Sequence, residues 1–155
     1  ELSTVYVQIG GGGLISGVAA AIRRLKPHVR IVGVEPAGAA KMKASIDAGH
    51  PVTLEKTVSI ADGLMPVRPG DLTFAHARAF VDDFVTVEDE AIAKAVVWLF
   101  RHAKLVVEPS GAASVAAALR AGAAAARDGT VVAVLSGGNI ALDTLVTLAE
   151  QVRQS

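Results

Sequence analysis

Five residues, Val5-Tyr6-Val7-Gln8-Ile9, run straight into four consecutive glycines, Gly10-Gly11-Gly12-Gly13, and then into an alanine-rich stretch. A short run of β-branched and aromatic residues reads as a buried strand of the parallel kind. Glycine carries no side chain, so its backbone N–H groups can close around an anion. The N-terminus of a following helix adds unpaired amides and a partial positive charge. Strand, glycine loop and helix together form a phosphate cradle, which places the centre of the expected site at residues 10–13.

The rest of the chain repeats this alternation. Leu14, Val18, Ala21, Ile22 and Leu25 recur at helical spacing, which predicts a helix over 14–25 stopped by Pro27. Residues 29–34 read as a second strand ending near Glu35-Pro36, completing a βαβ unit. A shorter helix over 39–48 is closed by Gly49, and a long aperiodic stretch carrying Ala61-Asp62-Gly63-Leu64 follows. Asp71 is placed to cap a helix over 72–80, and residues 83–87 form a strand. Thr86-x-x-Asp89 resembles a capping pattern for a helix reaching about 102. A helix over 112–126, a strand over 130–135 and a helix over 142–152 complete the chain. The predicted fold is α/β: an open, mainly parallel twisted sheet with helices on both faces.

Composition narrows the function classes. The 155 residues include 52% apolar ones, enough for one sizeable core, and the formal net charge is zero. Without a basic surplus a nucleic-acid partner is not expected, and no apolar run is long enough to predict a membrane span. Zero cysteines leave no disulfide or thiolate chemistry, and a cytoplasmic setting is expected. The chain enters a strand almost immediately after Glu1, so further upstream sequence is expected.

Three readings of the glycine loop stand side by side: close packing alone, a phosphate cradle, or a dinucleotide fold. Gly11, Gly13 and Gly17 give G-x-G-x-x-x-G, and Glu35 stands where a ribose-binding acid would. The usual G-x-G-x-x-G spacing fails, because Ile15 and Ser16 occupy the third-glycine positions. A second glycine turn, Ser136-Gly137-Gly138-Asn139, follows the last strand. Both turns lie at carboxyl ends of strands, where open parallel sheets bind ligands. A flat ligand with a phosphate at one end fits such a pair.

Gly10-Gly11-Gly12-Gly13-Leu14, Val34-Glu35-Pro36, Ala61-Asp62-Gly63-Leu64, Asp82-Asp83, Glu108-Pro109-Ser110-Gly111-Ala112 and Leu135-Ser136-Gly137-Gly138-Asn139 occur in this order. Together they resemble the threonine/serine dehydratases and serine racemases, pyridoxal-phosphate enzymes of the tryptophan-synthase-β fold type. The resemblance implies that Gly10, Gly11, Gly12, Gly13 and Leu14 bind the phosphate of pyridoxal 5'-phosphate. It implies that Ser136 hydrogen-bonds the pyridine nitrogen, and that Gly63 and Glu108 line the pocket. The implied activity is ammonia-lyase β-elimination on threonine or serine, with serine racemisation the sister outcome. A non-catalytic phosphate-binding or NAD-binding module is the alternative from other classes.

Many relatives of this kind also hold a cation with a Glu, a carbonyl four residues on, and an acid two residues beyond. Glu35 and Ala39 match the first two positions, but Lys41 stands at the third. Hard cations favour negatively charged oxygen ligands, so a divalent ion is doubtful here. Lys41 then reads either as a solvated lysine on a helix, the more ordinary role, or as an ammonium replacing the ion. The family's Schiff-base lysine belongs to a block upstream of the glycine loop, and none of Lys26, Lys41, Lys43, Lys56, Lys94 or Lys104 has that context. The expectation is a cofactor-binding segment, inactive in isolation, that forms a homo-oligomer or pairs with an upstream segment.

Overall fold

The computed structural model describes residues 1–125 and 129–154. Among them, β1 (Leu2–Gln8), β2 (Arg30–Pro36), β3 (Asp83–Val87) and β4 (Thr130–Ala133) form one parallel sheet in the order β3-β2-β1-β4. The helices are α1 (Gly13–Leu25), α2 (Lys41–Ala48), α3 (Asp71–Phe80), α4 (Asp89–Trp98), α5 (Pro109–Ala125) and α6 (Leu142–Gln154). The open parallel α/β sheet expected from the alternation is the fold this chain adopts. No helix among the described residues is long and apolar enough to cross a membrane.

Strand periodicity divides the core. Val5, Val7 and Ile9 point to one face, where they pack with Ile15 of α1, Met42 of α2, and Phe74 and Ala77 of α3. Tyr6, Val32, Val34 and Val87 point to the other, against Ile92 and Val96 of α4, Ala112 and Ala116 of α5, and Leu145 and Leu148 of α6. With both faces covered, the inner strands read as continuous apolar runs instead of alternating ones.

Element ends differ from the sequence reading where tertiary contacts supply the caps. Gly70, not Asp71, is the N-cap of α3, and Asp71 in its first turn pairs with Arg68. Glu88 takes the N-cap position of α4, and the Asp89 carboxylate instead accepts from Ser59 Oγ at 2.5 Å and Ile60 N at 3.0 Å. The Thr86-x-x-Asp89 pattern therefore anchors the long 49–70 loop through its acid and makes no capping box. α2 starts at Lys41, because the Glu35 carboxylate accepts from Met42 N and Lys43 N, both at 2.8 Å. α4 gives way to a π turn at Leu99–Ala103, closed by Lys104 in the left-handed region, with φ 59°. α5 begins at Pro109, a favoured first helical position, and Ala126 of its expected span lies outside the described residues. β4 stops at Ala133, and Leu135 belongs to the following turn.

Asp82 and Asp83 serve the amino-terminal rim of the sheet, away from the glycine turns. Arg23 donates to Asp82 Oδ2 at 2.7 Å and to Phe80 O at 2.9 Å, and Ile31 N donates to the same Asp82 oxygen at 2.7 Å. Arg30 pairs with Asp83 at 2.6 Å. Partial exposure of both partners screens the Arg23–Asp82 pair. Asp82→Ala is accordingly expected to lower unfolding free energy by about 1–2 kcal/mol through the lost hydrogen bonds, with phosphate affinity unchanged in a parallel titration.

Candidate functional site

The chain steps from β1 to β2 to β3 on one side of the sheet, whereas β4 joins the opposite edge of β1. The carboxyl ends of β1 and β4 thus flank a topological switch point, where open α/β sheets form a crevice. The tetraglycine loop leaves β1 there and Ser136-Gly137-Gly138-Asn139 leaves β4 there. Val134 N still pairs with Tyr6 O at 3.0 Å, and Gln8 Nε2 donates to Ser136 Oγ. The two turns share one rim.

Gly12 is the N-cap of α1, with φ 97° and ψ −2°. That left-handed conformation strains any L side chain, and a Cβ there would also lie 2.8 Å from Thr73 Cβ and 2.9 Å from Met42 Cε. Thr73 Oγ1 donates to Gly11 O at 2.6 Å and Gly70 N to the same carbonyl at 3.3 Å, so α3 fixes the loop from outside. The N–H groups of residues 10–14 donate to no group among the described residues, and the first turn of α1 holds no acid. Successive unpaired amides at a helix start make an anion nest. An anionic phosphate group fits this cradle.

Gly63 is drawn against the same loop: a Cβ on Gly10 would come within 2.9 Å of Gly63 O. Gly63 N donates to Ser110 Oγ at 2.9 Å and Asp62 Oδ1 at 2.8 Å, which ties the 62–64 turn to the first turn of α5. Glu108 sits just before α5. Its N–H donates to Gly137 O at 3.0 Å, and its carboxylate accepts from Asn139 N at 3.1 Å. Glu108 thus braces the second glycine turn from behind. Leu14 lies half-exposed at the start of α1, and Ser136 is exposed at the rim.

Gln8 and Ser110 belong to this site and were not singled out from the sequence. Gln8 did leave a signal, a lone amide inside an apolar strand. It is 2% exposed, and its Oε1 has no hydrogen-bond partner. Ser110 shows in the sequence only as part of the Glu108-Pro109-Ser110-Gly111-Ala112 block, which gives it no role of its own. The four histidines do not converge, and no group of three His, Asp or Glu side chains among the described residues is arranged to hold a metal ion.

Glu35, Ala39 and Lys41 do come together, in a different form from a metal site. Lys41 is fully buried and is not the solvated helix lysine of the ordinary reading. Its Nζ donates to Ile9 O at 2.9 Å, Ala39 O at 3.1 Å and Leu64 O at 2.9 Å, and lies 3.3 Å from Glu35 Oε1. The Ala39 carbonyl and the Glu35 carboxylate, two of the expected ion ligands, already face a cation, so these residues do not fit a divalent ion. Burial pushes the Glu35 carboxyl up and the Lys41 amine down, and their mutual attraction opposes both shifts. A neutral amine has two N–H donors, one too few for three carbonyls; the ammonium has three. We therefore assign an ion pair.

The family model described as "Pyridoxal-phosphate dependent enzyme" matches residues 1–137. An L-threonine ammonia-lyase from Geobacter sulfurreducens is 44% identical over 151 residues, covering 97% of this chain and 37% of the relative. A serine racemase from Oryza sativa subsp. indica is 42% identical over 149 residues, covering 94% of this chain and 44% of the relative. The solved structure of the processed form of threonine deaminase isoform 2 from Solanum lycopersicum superposes with a TM-score of 0.92 at 33% identity. That match covers 99% of this chain and 43% of the deaminase. The chain spans less than half the length of each of these relatives. With a family model matching residues 1–137 and relatives matching this sheet almost throughout, the chain belongs to the pyridoxal-phosphate dependent enzyme family.

Proposed function

We propose that the rim between β1 and β4 binds pyridoxal 5'-phosphate, and that the protein carrying this chain is a threonine/serine ammonia-lyase. The intact enzyme would release ammonia together with 2-oxobutanoate from L-threonine, or pyruvate from L-serine. The observation that carries this reading is the Gln8–Ser136 hydrogen bond, which joins the two glycine turns next to five unspent amides.

Pyridoxal phosphate, when bound, supplies the conjugated electron sink that lets an amino acid lose its Cα proton. The N–H groups of Gly10, Gly11, Gly12, Gly13 and Leu14 would hold its phosphate. With Gln8 Nε2 donating to Ser136 Oγ, the serine hydroxyl would remain available to donate to the ring nitrogen. A hydroxyl is far too weak an acid to protonate that nitrogen fully, so Ser136 would hold the ring nitrogen by a hydrogen bond without converting it to a pyridinium. Gly63 and Glu108 shape the walls, Gly63 beside the phosphate loop and Glu108 behind the second turn.

The catalytic lysine is proposed to come from a segment outside these 155 residues. Lys41 spends its donors on carbonyls, Lys43 and Lys94 pair with Asp47 and Glu90, and Lys104 bonds Arg101 O. The exposed edge of β4 supports a further segment or subunit: Val131 and Ala133 line an apolar hollow of about 380 Å³ with Trp98 and Leu119. Residues 1–155 would then be one cofactor-binding segment, cytoplasmic in setting. Serine racemisation is the second reading, favoured by the 42% identity to the rice racemase.

Titration tests the assignment. Pyridoxal phosphate is expected to bind residues 1–155 without an imine absorbance band, inorganic phosphate to compete, and NAD not to bind. Threonine and serine should not be turned over by this segment alone. Ser136→Ala is expected to leave phosphate affinity intact and weaken pyridoxal phosphate about fivefold to tenfold, one hydrogen bond's worth. NAD binding, or ammonia release by the segment, would contradict the reading.

A further inference from the structure

We propose that the Lys41 ammonium is a built-in cation that fills an ion site from within the chain, so that the glycine loop is set without any ion from solution. The site has the donor set of a hard-cation pocket: three carbonyl oxygens and one carboxylate, all on buried backbone or on Glu35, which is 1% exposed. The carbonyls lie 2.9–3.1 Å from Nζ. Ca²⁺ takes oxygens at about 2.3–2.6 Å and Mg²⁺ at about 2.0–2.1 Å. The pocket is therefore too wide for either, and its spacing suits ammonium or a potassium ion.

Placement gives the pocket its consequence. Ile9 O immediately precedes the tetraglycine loop, and Leu64 O immediately follows Gly63. One ammonium thus links Ile9 at the exit of β1, the 62–64 turn, and the 37–39 turn that leads into α2. The helix rows of α2 would be compatible with an exposed lysine at this position. The nonlocal carbonyls are what convert it into a buried, fully coordinated cation. The inference concerns the protein's own fold and so stands apart from the cofactor reading.

The test is thermal unfolding of the wild type, Lys41→Ala and Lys41→Met in choline, sodium, potassium, ammonium and magnesium chlorides at equal ionic strength, and with chelator. Lys41→Ala opens the pocket, while Lys41→Met fills it with an apolar chain. The wild type is expected to show the same midpoint in every salt. Lys41→Ala is expected to lose about 10 °C in choline, as a broken buried pair does in a domain of this size. At least half of that loss should return in potassium or ammonium. Lys41→Met should stay insensitive to the ion. The proposal fails if the wild type responds specifically to potassium, ammonium or magnesium. It fails equally if Lys41→Ala is as stable as the wild type in choline, or remains destabilised or unfolded in potassium and ammonium alike, or if Lys41→Met recovers to the same extent.

Discussion

Glu35→Gln is expected to lower the unfolding free energy by about 3–5 kcal/mol, the range for stripping one partner from a buried ion pair. The carboxylate is almost wholly enclosed and makes three contacts at once: Met42 N and Lys43 N at 2.8 Å each, and Lys41 Nζ at 3.3 Å. An amide keeps one acceptor oxygen and turns an NH₂ donor toward either the helix amides or the ammonium, both of which are donors themselves. The buried Lys41 charge would lose its counter-charge as well. Chemical denaturation should show the midpoint falling with an unchanged slope. A change below about 1 kcal/mol would mean that the pair is neutral in the folded state.

Gly12→Ala is the second large effect, expected at about 2–4 kcal/mol together with a loss of phosphate affinity of tenfold or more. The left-handed backbone contributes about 1–2 kcal/mol by itself. The remainder comes from crowding, because the new methyl would meet Thr73 and Met42 below 3.0 Å. Moving Thr73 also releases Gly11 O, so the cradle loses its outer support. Gly17→Ala is the control: beyond its chain neighbours and the backbone of its own helix, nothing lies within 4 Å of the added methyl, and it sits inside α1. That change should stabilise by about 0.5–1 kcal/mol through helix propensity and leave phosphate binding alone.

The legible parts of this protein are those set by local chemistry. Strand period, helix period and glycine turns are short-range signals: they place α1 to within a residue, whereas β1 starts at Leu2, three residues before the expected Val5, and ends at Gln8 instead of Ile9. The alternation of elements then determines that both glycine turns end strands of one parallel sheet. Caps were less legible, because Asp71 and Asp89 are drawn to Arg68 and to the 59–60 loop by contacts that no spacing rule contains. Lys41 shows the same limit more sharply. Its acceptors sit 32, 2 and 23 residues away along the chain, and only the folded sheet assembles them. Glu108 reads from the sequence as a pocket residue, and its bonds to Asn139 and Gly137 emerge only in the fold. Gln8 is the instructive intermediate: visible as an anomaly in an apolar strand, but without meaning until β4 brings Ser136 beside it.

The central claim is that two turns from neighbouring strands form one cradle, with a phosphate end and a ring end. Backbone amide NMR shifts under separate titration with inorganic phosphate and pyridoxal phosphate test it most directly. Inorganic phosphate should move the amides of residues 10–14 and leave those of residues 136–139 in place, while pyridoxal phosphate should move both sets with one shared affinity. Shifts from pyridoxal phosphate that bypass residues 10–14, or two sets of shifts that titrate with different affinities, would contradict a single cofactor site at this rim.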